Sequence, residues 1–284
     1  MVRQGTACTV VIPAHDEEVA LPRLLRPLLE DAHPGEFRVL VVCNGCTDGT
    51  AEVAATFAGV EVLSIPTASK YAAIEEGGAA TDAFPIVFVD ADVALDTAGL
   101  RALVATLRDD DGILATAPRR RLERAGVSMP AKWYYDVWER LPQVRTGLFG
   151  RGVIALSEPG WTRVSALPRY TSDDAAFSDA FRPEERTITL GAESRVWPAR
   201  TWTSLLKRRI RAVGGMRELR AAGRSPASSA THPRDLAAIV VREPRMLLRM
   251  PVFLLMTVAA RSAERRVRRT GRSGWLRDET SRVA

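Results

Sequence analysis

The chain has 284 residues, 46% of them hydrophobic, and a net charge of +6. That length carries one large α/β domain with appendages or two small domains. Three cysteines (Cys8, Cys43, Cys46) are too few, and odd in number, for a disulfide framework, so a reducing cytosol is expected. Residues 1–7 contain no apolar stretch of the kind that directs secretion. The charge is uneven. Residues 200–284 hold 20 Lys and Arg against 6 Asp and Glu, while residues 1–199 hold 20 against 28. An acidic body with a basic tail suits anionic lipid or a phosphorylated substrate. No zinc-finger spacing or aromatic RNA-binding strand accompanies the tail, so nucleic acid is not an expected partner.

Residues 9–13 read as a first buried strand, stopped by Pro13. Leu21, Leu24, Leu25, Leu28 and Leu29 recur at helical spacing, ended by His33-Pro34-Gly35. Residues 38–42 form a second strand, 44–49 a turn, and a helix runs through residue 58. A third strand over 60–65, a helix over 70–80, a fourth strand over 85–89, a helix over 96–108 and a fifth strand over 113–117 follow. This alternation predicts a mostly parallel sheet with helices on both faces. After Pro118 the pattern changes: Arg119-Arg120-Arg121 reads as a solvated basic run, and residues 130–141 as a helix rich in Trp and Tyr. Gly147, Gly150 and Gly152 mark a loop before a short strand over 153–156. Asp173 and Asp174 precede a helix over 175–181, and a basic helix covers 201–219.

Phe88-Val89-Asp90-Ala91-Asp92 places two carboxylates two residues apart where the fourth strand should end. Side chains alternate along a strand, so Asp90 and Asp92 share a side. In open α/β sheets ligands bind beyond the carboxyl ends of strands. Paired carboxylates there suit a hard divalent cation, Mg²⁺ or Mn²⁺, which also bridges phosphates.

Taken in order, the motifs resemble the inverting family 2 glycosyltransferases of the GT-A fold. Val10-Val11-Ile12-Pro13-Ala14-His15-Asp16-Glu17-Glu18 is similar to the family's "V-I-P-A-x-N-E-E" opening. Val41-Val42-Cys43-Asn44-Gly45-Cys46-Thr47-Asp48-Gly49-Thr50 resembles "V-V-D-D-G-S-T-D-G-T", and Ser69-Lys70-Tyr71-Ala72-Ala73-Ile74-Glu75 resembles "G-K-x-x-A-L-N". Asp90-Ala91-Asp92 matches the D-x-D, Gly150-Arg151-Gly152 the acceptor loop, Ser172-Asp173-Asp174 the "E-D" motif, and Arg208-Arg209-Ile210-Arg211 the "Q/R-x-x-R-W" element without its tryptophan.

The resemblance implies a GT-A, Rossmann-like α/β fold that transfers a sugar, with inversion, from a UDP- or GDP-sugar to a hydroxyl acceptor. A lipid-linked acceptor is among the expected classes. Pro13, Ala14, His15, Glu17, Asn44, Lys70, Asp90, Ala91, Asp92, Arg208 and Arg211 are implied donor-binding residues, with Asp92 and Asp90 on the metal. Gly152 and Asp173 are implied on the acceptor side, and Asp174 as general base; a helix cap is the other reading of the Asp173-Asp174 pair. Gly45 and Gly49 are expected to let backbone amides approach the nucleotide. Cys43 and Asn44 stand where the family has aspartates, which leaves the nucleobase open.

Three rival readings remain at this point: a nucleotidyltransferase-like protein, a non-catalytic nucleotide-sugar binder, and a redox protein using Cys43-Asn44-Gly45-Cys46 as a C-x-x-C. The expected organisation is a catalytic domain over 1–220 (donor half 1–118, acceptor half 119–220), a Gly-, Ser- and Pro-rich linker over 221–233, and a basic helical tail over 234–284. Residues 250–260 are apolar over 11 positions, too short to span a bilayer, and Pro251 is expected to interrupt the segment. Either this helix packs on the domain, or Val252, Phe253, Leu254, Leu255, Met256 and Val258 enter the headgroup boundary with arginines on anionic lipid. The second reading gives a cytoplasmic protein peripheral to the inner face of the membrane.

Overall fold

The computed structural model describes residues 6–81, 83–170, 173–223 and 231–270. Thr171 and Ser172, most of the expected linker and the last fourteen residues of the tail lie outside the described residues. The first half alternates as expected: β1 (Cys8–Ala14), α1 (Leu21–Leu29), β2 (Phe37–Asn44), α2 (Thr50–Ala55), β3 (Val60–Ile65), α3 (Lys70–Ala79) and β4 (Ile86–Val89). A two-residue strand β5 (Val93–Ala94), α4 (Thr97–Asp109) and β6 (Ala115–Leu122) follow. Then come α5 (Met129–Trp138), α6 (Pro142–Thr146), β7 (Val153–Leu156), α7 (Glu158–Ser165), α8 (Asp173–Asp179) and β8 (Arg186–Val196). Three helices close the described chain: α9 (Trp202–Ala221), α10 (Pro233–Arg242) and α11 (Met250–Thr270).

One eight-stranded sheet has the order β3-β2-β1-β4-β7-β6-β8-β5. β1 to β4 pair in parallel, as βαβ crossovers require. Beyond β4 the sheet is mixed: β7 runs antiparallel to both β4 and β6, while β6 and β8 are parallel. Strand alternation divides the core. Val10 and Ile12 join Leu24 and Leu25 of α1 and Leu100 and Leu103 of α4 on one face. Val11 and Phe88 join Ile74 of α3 and Phe177 of α8 on the other. A third cluster gathers Tyr134 of α5, Leu205 of α9, Ile239 of α10 and Phe253 and Met256 of α11.

Several expectations are corrected. α2 ends at Ala55, before residue 58. The strand at 113–117 continues through the arginine run to Leu122, and Arg120 keeps only 5% side-chain exposure beneath Trp138. The eleven-residue β8 has no counterpart in the sequence reading, because Gly191, Glu193 and Arg195 break its apolar alternation. Pro251 does not interrupt the last helix; it occupies the first turn, where its missing N–H costs nothing. Phe253 and Met256, expected in the headgroup boundary, are buried against the domain. Leu247, Leu248, Leu254, Leu255 and Val258 stay exposed. Among the described residues no helix is long and apolar enough to cross a membrane.

Candidate active site

β4 delivers Asp90-Ala91-Asp92 to the carboxyl edge of the sheet, beside the ends of β1 and β2. The Asp90 amide donates to Gly152 O at 2.7 Å, which ties the acidic turn to the loop entering β7. Gly152 has φ +67°, and a Cβ there would stand 2.3 Å from Val93 Cγ1, so a side chain has no place. Asp90 and Asp92 are half-buried and Ala91 is buried between them.

Lys70 opens α3, capped by Ser69 Oγ, which accepts from the Ala72 amide at 3.3 Å. Its Nζ lies 2.7 Å from Asp90 Oδ1 and 2.9 Å from Asp173 Oδ2, so one ammonium joins β4 to α8. Burial works against that charge, yet Asp173 and Asp90 outweigh it and hold the ammonium well above its ordinary value. Desolvation by the surrounding protein pushes the Asp90 carboxyl up to about 6, opposed by Lys70 and reinforced by Asp92.

Asp173 and Asp174 form the first turn of α8, so the helix begins at them rather than after them. Asp174 Oδ2 accepts from the Gly150 amide at 2.8 Å, and Oδ1 from the Ala175 amide at 2.8 Å. Burial raises the Asp174 carboxyl above its ordinary value, Asp173 adds to this, and Lys70 and the two amides oppose it. An elevated carboxyl in a cleft is the environment a general base needs.

The first two motifs meet where β1 and β2 end. Asn44 Nδ2 donates to Ala14 O at 2.7 Å, and His15 Nδ1 lies 2.7 Å from Asn44 O. The buried Glu17 donates its amide to Thr50 Oγ1 at 2.8 Å. Gly45 and Gly49 do not present open amides, contrary to expectation: Gly45 N–H donates to Ile65 O and Gly49 N–H to Glu18 Oε2, each at 2.8 Å. Their glycine identity serves packing, since a Cβ on Gly45 would meet Ala68 Cβ at 2.8 Å. Both cysteines of the C-x-x-C are free thiols, and Cys43 is buried. Burial pushes the Cys43 thiol up to about 12, the opposite of a reactive dithiol.

Asp174 stands between two cavities. On one side a small cavity is lined by Pro13, Lys70, Asp90, Gly152 and Asp173. On the other, a cavity of about 400 Å³ runs from Asp174 and Gly150 past Tyr134, Trp138 and Phe149 to α9, α10 and α11. Arg208 lines the large cavity together with Arg209, whereas Arg211 is exposed and outside that wall.

Sequence reasoning missed the residues behind this wall. The buried Arg151 donates to the carbonyls of Gly147, Pro118, Val144 and Arg145, which stitches the glycine loop into one conformation. Arg120 lies 4.3 Å over Trp138 and donates to Gly150 O at 3.3 Å. Only its place inside an arginine run signalled it, and that signal pointed to solvent. Asp90 and Asp92 carry hard oxygen donors of the kind Mg²⁺ or Mn²⁺ takes, with Asp90 Oδ1 paired to Lys70 Nζ at 2.7 Å. A second group, His15, Asp16 and Cys46, brings ligand atoms within 4.8 Å of one another at the β1 end.

The parallel strands, the acidic turn at the β4 edge and the antiparallel β7 define a GT-A glycosyltransferase fold. Residues 9–157, more than half of the chain, match the model described as glycosyl transferase family 2, and the chain belongs to that family. An uncharacterized glycosyltransferase of Mycobacterium bovis, and its counterparts in two strains of Mycobacterium tuberculosis, are each 37% identical over 126 residues. The match takes in 44% of this chain and 54% of each relative, so the chain spans about half the length of the curated relatives it matches. Among solved structures, a mannosyltransferase of Pyrobaculum calidifontis in complex with GDP-Man and Mn²⁺ superposes with a TM-score of 0.60 at 18% identity, covering 95% of this chain and 80% of that one. Glucosyl-3-phosphoglycerate synthase of Mycobacterium tuberculosis with Mn²⁺, UDP-glucose and phosphoglyceric acid gives a TM-score of 0.50 at 22% identity, covering 66% and 70%. At these identities the likeness is one of fold.

Proposed function

We propose that the protein transfers a sugar from a nucleoside diphosphate donor, UDP- or GDP-linked, to a hydroxyl acceptor, with inversion in one displacement. The observation that carries this reading is Asp174, which borders the small cavity of Lys70 and Asp90 and the large apolar cavity at once. Pro13, Ala14, His15, Glu17 and Asn44 would line the nucleoside side, and Asp92 and Asp90 would hold the divalent ion. The ion, when bound, offsets the charge of the leaving diphosphate. Arg208 and Arg211, three residues apart on α9, would add guanidinium charge to the diphosphate from the side of the large cavity, with Arg208 in its wall and Arg211 exposed outside it. Lys70 keeps Asp90 and Asp173 together. Asp174 takes the proton of the acceptor hydroxyl as its oxygen bonds to the anomeric carbon. The bond from that carbon to the diphosphate oxygen breaks, and nucleoside diphosphate leaves. Gly152 and Asp173 border the acceptor oxygen.

The division into a donor half (1–118), an acceptor half (119–220) and a tail (234–284) belongs to the same reading. Neighbouring folds were solved with GDP-Man or UDP-glucose and Mn²⁺, which guides the choice of donors to test. Incubation with UDP- and GDP-sugars and Mn²⁺, reading released nucleotide and donor binding, is the deciding measurement. Binding of no nucleotide sugar would end this reading. A nucleotidyltransferase would instead release pyrophosphate, and a non-catalytic binder would bind donor without releasing nucleotide.

The tail supports a membrane-facing placement. Leu254, Leu255 and Val258 of α11 are exposed, and Arg261, Arg265, Arg268 and Arg269 follow on the same helix, also exposed. Apolar insertion with flanking arginines fits an anionic bilayer surface, each arginine contributing about 1 kcal/mol near it. Sedimentation with phosphatidylglycerol vesicles should require the anionic lipid, weaken with salt and fall in Leu255→Glu. Equal partitioning of both proteins would leave α11 a packing helix only.

A further inference from the structure

The large cavity borders Asp174 and lies against α5, α9, α10 and α11. Its volume of about 400 Å³ is within the range of sites that enclose a whole small-molecule ligand. Its walls are largely aromatic and aliphatic: Tyr134 stacks on Phe253 at 5.2 Å, and Trp138, Phe149, Met216 and Leu236 line the same cavity. Its polar lining includes Asp174, held by the Gly150 amide, together with Arg208, Arg209 and Arg220. The lining also reaches Leu254 and Arg261, both exposed, on the helix face that also exposes Leu255 and Val258.

Two buried polar atoms on wall residues lack partners in the structure. Tyr134, 1% exposed, has no hydrogen-bond partner for its hydroxyl, and Arg209 has none for Nε. Both atoms are sealed inside the wall, out of contact with the open space, so they do not serve as contacts for a ligand in the cavity.

From the lining and reach of this cavity we propose that the acceptor is amphipathic. Its hydroxyl-bearing polar head lies at Asp174, and an apolar chain runs along the cavity between α5, α9 and α11 toward the exposed leucines. This names the acceptor class for the sugar transfer proposed above and rests on that reading. The chain-binding wall and the lipid-facing leucines are then one continuous apolar path, which lets an acceptor reach the base without leaving an apolar surface.

Methyl, octyl and dodecyl glucosides, used below micelle-forming concentrations, serve as probes in calorimetric binding. Each fully buried methylene tightens binding about fourfold, so four extra methylenes allow up to about 250-fold; with partial burial dodecyl glucoside should still bind tenfold or more tightly than octyl, with methyl glucoside near the detection limit. Filling the wall with Ala212→Trp, or with Met216→Trp in case the first variant misfolds, should weaken the dodecyl probe about tenfold or more. Circular dichroism verifies the fold of each variant. Binding independent of chain length, or unaffected in a folded wall variant, overturns the proposal in favour of a small hydrophilic acceptor. Mn²⁺-dependent UDP and GDP binding, read in parallel on the unmodified protein, separates the two readings. Its absence with the chain-length dependence intact would remove the sugar-transfer reading and leave the chain-binding cavity supported.

Discussion

The Gly150 amide donates to Asp174 Oδ2 at 2.8 Å, so the residue that would take the acceptor proton is aimed by a loop 24 positions earlier in the chain. The Ala175 amide donates to Oδ1 at 2.8 Å, so each carboxylate oxygen accepts one backbone N–H and keeps a lone pair for the acceptor proton. Asp174→Asn keeps the size and removes the basicity, although its amide nitrogen cannot accept the backbone N–H that the replaced oxygen holds. Turnover should fall by about 10²-fold or more, with Mn²⁺-dependent donor binding near that of the parent. Normal turnover in this variant would reduce Asp174 to a scaffold residue.

The pH profile should carry the same signature. A base must be ionised to act, and burial raises the Asp174 carboxyl. Activity should therefore rise with pH through a midpoint above the ordinary carboxylate value of about 4. Initial rates from pH 4 to 8 at saturating donor measure it. A rate that is flat over this range contradicts the assignment.

Lys70 spans two acids from the first turn of α3. Lys70→Met removes a cation from between Asp90 and Asp173. A divalent ion at Asp90 and Asp92 then loses a competitor, so Mn²⁺ should bind at least as tightly by calorimetry. Turnover should nevertheless drop about tenfold, since acids that repel one another no longer hold the separation needed for a positioned base. Weaker Mn²⁺ binding would mean that Lys70 organises the ion's carboxylates rather than competing with the ion.

Gly152→Ala tests the acidic turn as a structural element. The backbone is left-handed there and the new Cβ would meet Val93. Strain and overpacking should together cost about 2 kcal/mol or more, read as a lowered denaturant midpoint. A variant as stable as the parent would show that the turn relaxes freely.

Acid stability has a local source. Arg101 Nε and Nη2 donate to Glu36 Oε1 and Oε2 at 2.7 and 2.8 Å and hold that carboxyl down to about 2. A folded value below the unfolded one, near 4.5, stabilises the fold above pH 4.5. That contribution is lost as pH falls from 4.5 toward 2. Glu36→Gln should flatten the stability profile across that window, measured by urea unfolding. Glu185 and Glu243 are held down to about 2 in the same way, by Arg163 and Arg140, so some slope should persist.

Much of the donor half was legible in the linear chain. Parallel strands buried on both faces need continuous apolar runs, as in Val10-Val11-Ile12 and Val39-Leu40-Val41-Val42, and helices packed on them need a 3.6-residue period, as in α1. Lys70, Asp90 and Asp173 each stood out at the end of such an element. Their meeting did not. The sequence places Asp173 far from Lys70, and only the return of β7 antiparallel to β4 makes α8 a neighbour of α3.

By itself, then, the sequence determined the alternating elements, the acidic turn and the order of the motifs, because these depend on local periodicity and local turn chemistry. Tertiary structure alone decided which arginines are solvated and which are walls. Arg120 and Arg151 are built into the protein because Trp138 and four backbone carbonyls receive them, and composition carries no trace of that. It also decided that Phe253 and Met256 close the domain while Leu254 and Leu255 face outward. A helix with apolar residues on two sides has two possible faces to bury, and only the position of α5 and α9 selects between them.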